Sequence, residues 1–214
     1  MHSRRDFTKL AVGSVLAGGA LLGSLCSVLQ RAWAASRKVL PKGTTRESLI
    51  DQSPAELDTS NLEITPLEQF GTMGPTNRVV DPGTWRLEVV GHVRRPLSLT
   101  YAQLTALPSI ERKVLLICPG FFVNHGRWKG VSIRALLNQA GFDPAVTQIS
   151  IEAKGEKSVR FSVTDVLSEK VFLAYQVNGL PLPRKHGFPL RAVVEDHFGS
   201  EWVKYVDKIV VERA

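Results

Sequence analysis

The sequence predicts an α+β fold: a mostly-β single domain with a mixed sheet and a few short helices. Three observations predict it: short apolar runs alternating with polar residues, tight turns between them, and two brief capped helical stretches. Hydrophobic residues make up 43% of the 214, enough for a real core, and no internal repeat or low-complexity tract interrupts the pattern.

The chain opens with an address. In residues 1–34, paired Arg4 and Arg5 precede a Gly/Ala-rich apolar run from Leu10 to Leu29, and Ala32-Trp33-Ala34 forms an Ala-x-Ala cleavage signal. The S-R-R-x-F-x-K order resembles a twin-arginine export signal, which implies passage of the folded protein through the twin-arginine export machinery to the periplasm. Left uncleaved, the run would anchor the chain in the membrane. Glycines at 13, 18, 19 and 23 weaken it as a permanent span, and no later apolar run is long enough to cross a bilayer.

Residues 35–66 are polar, poor in aromatics and without period; they read as an extended or weakly ordered lead-in. Residues 67–214 carry the globular pattern. Trp85, Leu87 and Val89 alternate with Arg86 and Glu88, a strand with one wet face. Thr100 and Gln103 form a capping-box pair at the head of a short helix that Pro108 ends. "KVLLIC" (113–118) is a buried strand that stops at Pro119-Gly120, and "RWKG" follows as a loop held by the next helix. That helix starts at Ser132, closes at Gly141 and turns Ile133, Leu136, Leu137 and Ala140 inward. A hairpin turns at Lys154-Gly155, a second at Asn178-Gly179, and "PLRAVVE" and "KYVDKIVVERA" supply the last strands.

Charge excludes one class of function. The net +7 falls to +4 once the leader is set aside, leaving 23 basic and 19 acidic residues, and no basic stretch is interleaved with aromatics. A nucleic-acid groove needs both, so nucleic acid is not a partner. The five histidines show no paired metal spacing, and neither a haem-attachment motif, a phosphate-binding glycine loop nor a nucleophile elbow is present.

Cysteine use is more telling. Cys26 leaves with the leader, so Cys118 is the sole mature thiol and cannot form an internal disulfide. A free thiol in an oxidising compartment survives if it is buried or coordinated. Cysteine at the end of an apolar strand is more often core filler than ligand. The abrupt Pro119-Gly120 stop and the export of a folded chain favour the ligand.

The ordered set "DPGTWRLEVVGHVRRPLSLT", "LLICPG", "GRWKGVSIRALL", "LAYQVNGLPLPRKHGFPLRAVV" and "GSEWVKYVDKIVV" resembles the molybdopterin-binding domain of the sulfite oxidase superfamily over about residues 67–214. It looks most like haem-free periplasmic members, which include the methionine-sulfoxide reductase catalytic subunit. The resemblance implies a Mo-molybdopterin cofactor, with Cys118 as the protein's metal ligand and catalytic thiolate. It implies cofactor contacts from His186, Arg191 (at the phosphate), Trp202, Val203 and Lys204, and less directly from Gly71 and Thr72 in "FGTMGPTN". It further implies a small-molecule substrate and a separate electron-transfer partner, either a membrane cytochrome b or a soluble cytochrome c.

Departures from the family pattern point to the substrate. Lys154-Gly155 stands where Asp-Gly is frequent, and Glu201 where a cation is common. After Cys118 the chain reads Gly120-Phe121-Phe122-Val123, where sulfite oxidases carry cations. An apolar lip of Phe121 and Phe122, with Asn124, His125 and Arg127 near in sequence, suits reduction of an S- or N-oxide better than oxidation of sulfite. Sulfite oxidation, and a cofactor-free binding module on the same fold, are the alternatives.

Overall fold

The computed structural model describes residues 37–155 and 157–213; the expected export leader lies outside them. Residues 37–66 form no long element, but they are not loosely attached. Strands β1 (Lys38–Val39) and β2 (Leu57–Asp58) pair in parallel, and 3-10 turns lie between them. Leu40, Leu49, Leu57 and Leu62 bury themselves on Leu115, Ile117 and Val123. The expectation of weak order is thus corrected. Four leucines without period give no helix or strand signal, yet together they cover one face of a sheet.

From residue 86 onward, alternation becomes two sheets. In β3 (Arg86–Gly91), Leu87 and Val89 are buried while Arg86 and Glu88 are exposed, as a period of two requires. β4 (Leu97–Thr100) leads into α1 (Tyr101–Thr105), whose Thr100/Gln103 capping box is fully formed. β5 (Ser109–Cys118) and β6 (Phe122–Ser132) form a long antiparallel hairpin, and α2 (Ile133–Ala140) follows, capped by Ser132 and closed by Gly141 at φ 68°. β7 (Gln148–Ala153) and β8 (Lys157–Ser162) flank the Lys154-Gly155 turn; α3 (Val163–Leu167) comes next. β9 (Val171–Val177) turns into β10 (Leu180–Pro181) through Asn178 and Gly179, both left-handed at φ 53° and 79°. β11 (Arg191–Val194) and β12 (Lys208–Glu212) complete the order.

One sheet runs β10-β9-β6-β5, with β11 also paired to β9; the other runs β4-β3-β12-β7-β8. Only β3 and β12 pair in parallel in the second, so that sheet is mixed. A single buried cluster draws Trp128 and Phe172 from the first sheet, Leu87 and Ile151 from the second, and Leu104, Leu136 and Val166 from the three helices.

Two elements escape the sequence pattern. β6 was expected as a loop through "RWKG", because Gly126, Gly130 and scattered cations break its alternation. Those glycines have a structural cause: a side chain at Gly130 would run into the Leu173 carbonyl at a register shift in the β6–β9 ladder. α3 is only five residues long, and its one signal is the Ser162 cap on Asp165.

The packing of the lead-in generates a stability prediction. Leu49 is 1% exposed, so Leu49→Ala should lower the unfolding free energy by about 2–3 kcal/mol in a single cooperative urea transition. A loss below about 0.5 kcal/mol would show a segment that folds apart from the sheet.

Candidate functional site

The β5–β6 ladder sets the site. Cys118 pairs with Phe122 and Leu116 with Asn124 across the hairpin, and Phe121 N–H donates to the Cys118 carbonyl at 3.0 Å to close the turn. Strand alternation sends Leu115 and Ile117 under the lead-in, while Leu116 and Cys118 face a cavity of about 490 Å³. The thiol is half-buried, and burial raises its pKa.

A loop spanning residues 71–75 forms one wall. Gly71 N–H donates to Asn124 Oδ1 at 3.0 Å, and Asn124 Nδ2 donates back to the Gly71 carbonyl at 2.9 Å. A side chain at Gly71 would collide with the Phe122 ring, so glycine is required there. Lys204 Nζ donates to Thr72 Oγ1 at 2.6 Å and to the carbonyls of Lys185 at 2.9 Å and Pro75 at 3.1 Å. Tyr205 sits beside it at φ 57°, an uncommon backbone for a bulky residue, and its hydroxyl reaches the Arg184 carbonyl at 2.9 Å. These bonds tie the loop to residues 184–187.

Arg191 starts β11 with its guanidinium buried between two indoles, 5.2 Å from the ring centroids of both Trp128 and Trp202. It has no carboxylate partner among the described residues, and Nε makes no hydrogen bond. Burial pushes its pKa down to about 9. Trp202 Nε1 and His186 Nε2 are likewise buried donors or acceptors without partners. A buried polar atom left unpaired costs about 1–3 kcal/mol, and two of these atoms, Arg191 Nε and Trp202 Nε1, belong to residues on the cavity, where a bound group could pair with them. Among the described residues, none that lines the cavity is acidic.

Six of the eight residues expected from the sequence, Gly71, Thr72, Cys118, Arg191, Trp202 and Lys204, meet on this cavity. His186 lies behind the lining, edge-on to Phe70 at 5.7 Å, and Val203 is fully buried, its carbonyl accepting from Ala192 N–H at 2.8 Å. The lip differs from expectation: Phe122 lines the cavity, but Phe121 is 68% exposed at the turn. Glu201 does not line it, and its carboxylate meets His197 Nδ1 at 2.8 Å instead. His125 faces the lead-in, with Nδ1 3.1 Å from the Glu63 carbonyl. Sequence reasoning missed Met73 as a cavity residue, and Lys157, which donates to the Ser200 carbonyl. No group of three His, Cys, Asp or Glu side chains assembles among the described residues, so a metal here would rest on Cys118 as its protein ligand.

Comparison with known proteins agrees with this geometry. Residues 73–214 match the family model for the oxidoreductase molybdopterin binding domain. The chain is 32% identical to human (Homo sapiens) mitochondrial sulfite oxidase across 75% of its own length and 35% of that protein's. It is 29% identical to an NAD(P)H nitrate reductase of Hordeum vulgare across 84% of its length and 24% of the relative's. The chain therefore spans about a quarter to a third of these relatives. The sulfane dehydrogenase SoxCD from Paracoccus pantotrophus shares the fold at a TM-score of 0.62 and 23% identity, over 81% of this chain and 54% of that one.

The buried histidine yields a pH prediction. Burial first, then the charges of Arg191, Lys185 and Lys204, hold His186 down to about 3, so it is neutral in the fold. Below about pH 6.5 the unfolded chain takes up a proton that the folded chain refuses; stability is full above that pH and declines as pH falls. Between about pH 7 and pH 5, protein purified without cofactor should lose on the order of 2 kcal/mol more than its His186→Gln variant in urea titrations. Equal losses would show that His186 is not held neutral.

Proposed function

We propose that this chain, which belongs to the oxidoreductase molybdopterin binding domain family, reduces an S- or N-oxide by two-electron oxygen-atom transfer. The domain takes a molybdenum–molybdopterin cofactor, and the residues present fit one. The unpartnered Arg191 Nε and Trp202 Nε1 belong to lining residues and could pair with a polar group, no described lining residue is a carboxylate, and Cys118 offers a soft thiolate. When bound, the cofactor supplies a two-electron redox centre for oxygen exchange with the substrate.

The residues then have distinct tasks. Cys118 would hold the metal. Arg191, a rigid fork, would hold the phosphate, while Lys204, its three donors spent on Thr72, Pro75 and Lys185, fixes the loop at 71–75. The Asn124–Gly71 pair ties the loop to the cavity floor, and Phe122 gives the thiol side an apolar lining. In the net reaction the oxide's oxygen leaves as water, consuming two protons and two electrons, and the substrate is released as the parent sulfide or amine.

The observation that carries the oxide reading is the apolar turn beside Cys118. Phe122 faces the thiol across the hairpin, and nothing in Gly120-Phe121-Phe122-Val123 could balance a dianion once water is excluded, a loss of several kcal/mol. Sulfite oxidation is the second reading. It is favoured by Lys157, Arg191 and Lys204, which reach the cavity from distant segments. In this reading the electrons come from a separate partner, a membrane cytochrome b or a soluble cytochrome c. The twin-arginine motif supports export in the folded state and a periplasmic location.

Elemental analysis of natively exported protein should find about one molybdenum per chain; none, from a host able to make the cofactor, would leave a cofactor-free binding module. Cys118→Ser should lower both metal content and turnover by about a hundredfold or more while the circular dichroism spectrum is kept. For the substrate, steady-state assays of sulfoxides with reduced viologen should outpace sulfite with a ferric acceptor. Efficient sulfite turnover at micromolar KM would refute the oxide reading.

A further inference from the structure

Loop 71–75 holds its middle residue over the thiol. Gly71 is tied to Asn124 in both directions, and the Thr72 hydroxyl and Pro75 carbonyl are both bonded to Lys204. Between these anchors Gly74 turns the chain at φ 74°. The Met73 side chain is directed back to the strand end, with Sδ 3.9 Å from Cys118 Sγ. It is also 45% exposed. One side of the thioether therefore touches the thiol and the other meets water.

We infer that Met73 is the specificity-determining residue of this site: its thioether covers Cys118 and selects neutral substrates with an apolar substituent over small oxyanions. The inference rests on the oxide reading above and deepens it. A thioether is polarisable and carries neither charge nor a strong donor. An alkyl or aryl group on a sulfoxide gains contact with Met73 and with the Phe122 ring. A small oxyanion at the same place gives up its hydration to a surface that returns no hydrogen bond. The side chain is unbranched, so it can shift as a bulky substituent arrives.

The test uses Met73→Ala, Met73→Lys and, as a conservative control, Met73→Leu. In cofactor-free full-length chain, alkylation of Cys118 reads the covering directly. Met73→Ala should react several times faster than wild type with both iodoacetamide and iodoacetate. Met73→Lys should raise the iodoacetate-to-iodoacetamide rate ratio by about fivefold or more, because a cation concentrates the anionic reagent. A ratio cancels any change in the thiolate fraction. In loaded enzyme, Met73→Lys should shift kcat/KM toward sulfite, relative to methyl phenyl sulfoxide, by about tenfold or more. Met73→Leu should match wild type in both measurements. Unchanged alkylation in the Ala and Lys variants, or an unchanged substrate ratio in the Lys variant, would overturn the role of Met73. A wild type that prefers sulfite would overturn the oxide reading instead, and the Lys-induced shift would still decide for or against Met73.

Discussion

The register of β5 against β6 is the constraint from which the rest of this structure follows. In a strand, neighbouring side chains point to opposite faces, and a slip of one residue exchanges the faces. Here the register assigns Leu115, Ile117 and Val123 to one side, and Leu116, Cys118, Phe122 and Asn124 to the other. The first set is apolar and needs a cover, which explains why the lead-in folds down on it. The second set makes the floor of the cavity. The closure of the turn at Pro119-Gly120 then decides that the thiol ends the strand at a rim.

The second organising feature is a charge. Arg191 is held by aromatic faces, which give a guanidinium favourable contact without neutralising it. Burying such a group with no counter-ion is costly unless a partner arrives, and the surroundings show where. Lys204 and Lys157 stand on the same cavity, and the neighbouring His186 is held neutral by burial first and then by the charges of Arg191, Lys185 and Lys204. The protein carries an electrostatic deficit in its fold that an anionic ligand relieves, so binding energy is prepared before the ligand appears.

Much of this was legible in the sequence. Strands with one wet face, both hairpin turns, the Thr100 capping box and the Ser132–Gly141 helix all follow from local periodicity and turn chemistry. β6 was hidden because Gly130 answers to Leu173, some 43 residues on, and Gly126 to the rings of Trp128 and Phe70. The lead-in was hidden because its leucines obey the shape of a distant surface. At the site, Cys118 and Arg191 were legible through the ordered motifs around them. Asn124 lies near the lip in sequence, but its grip on Gly71 joins positions 53 apart. Met73 had no signal at all: an isolated methionine in a glycine-rich loop acquires meaning only when the loop is bent back onto the strand.

The covering of β5 by the lead-in also bears on where this protein can be cut. The alternating pattern begins near residue 67, and a minimal domain drawn from that pattern would start there. Such a chain would leave Leu115 and Ile117 of β5, the strand that bears the thiol, and Val123 of β6 as a bare apolar stripe. Strands bared in this way seek partners in other chains, so the shortened protein would aggregate through the very element that positions Cys118. In this molecule the thirty residues of the lead-in cover the back of the strands that carry the site, although none of them lines the cavity.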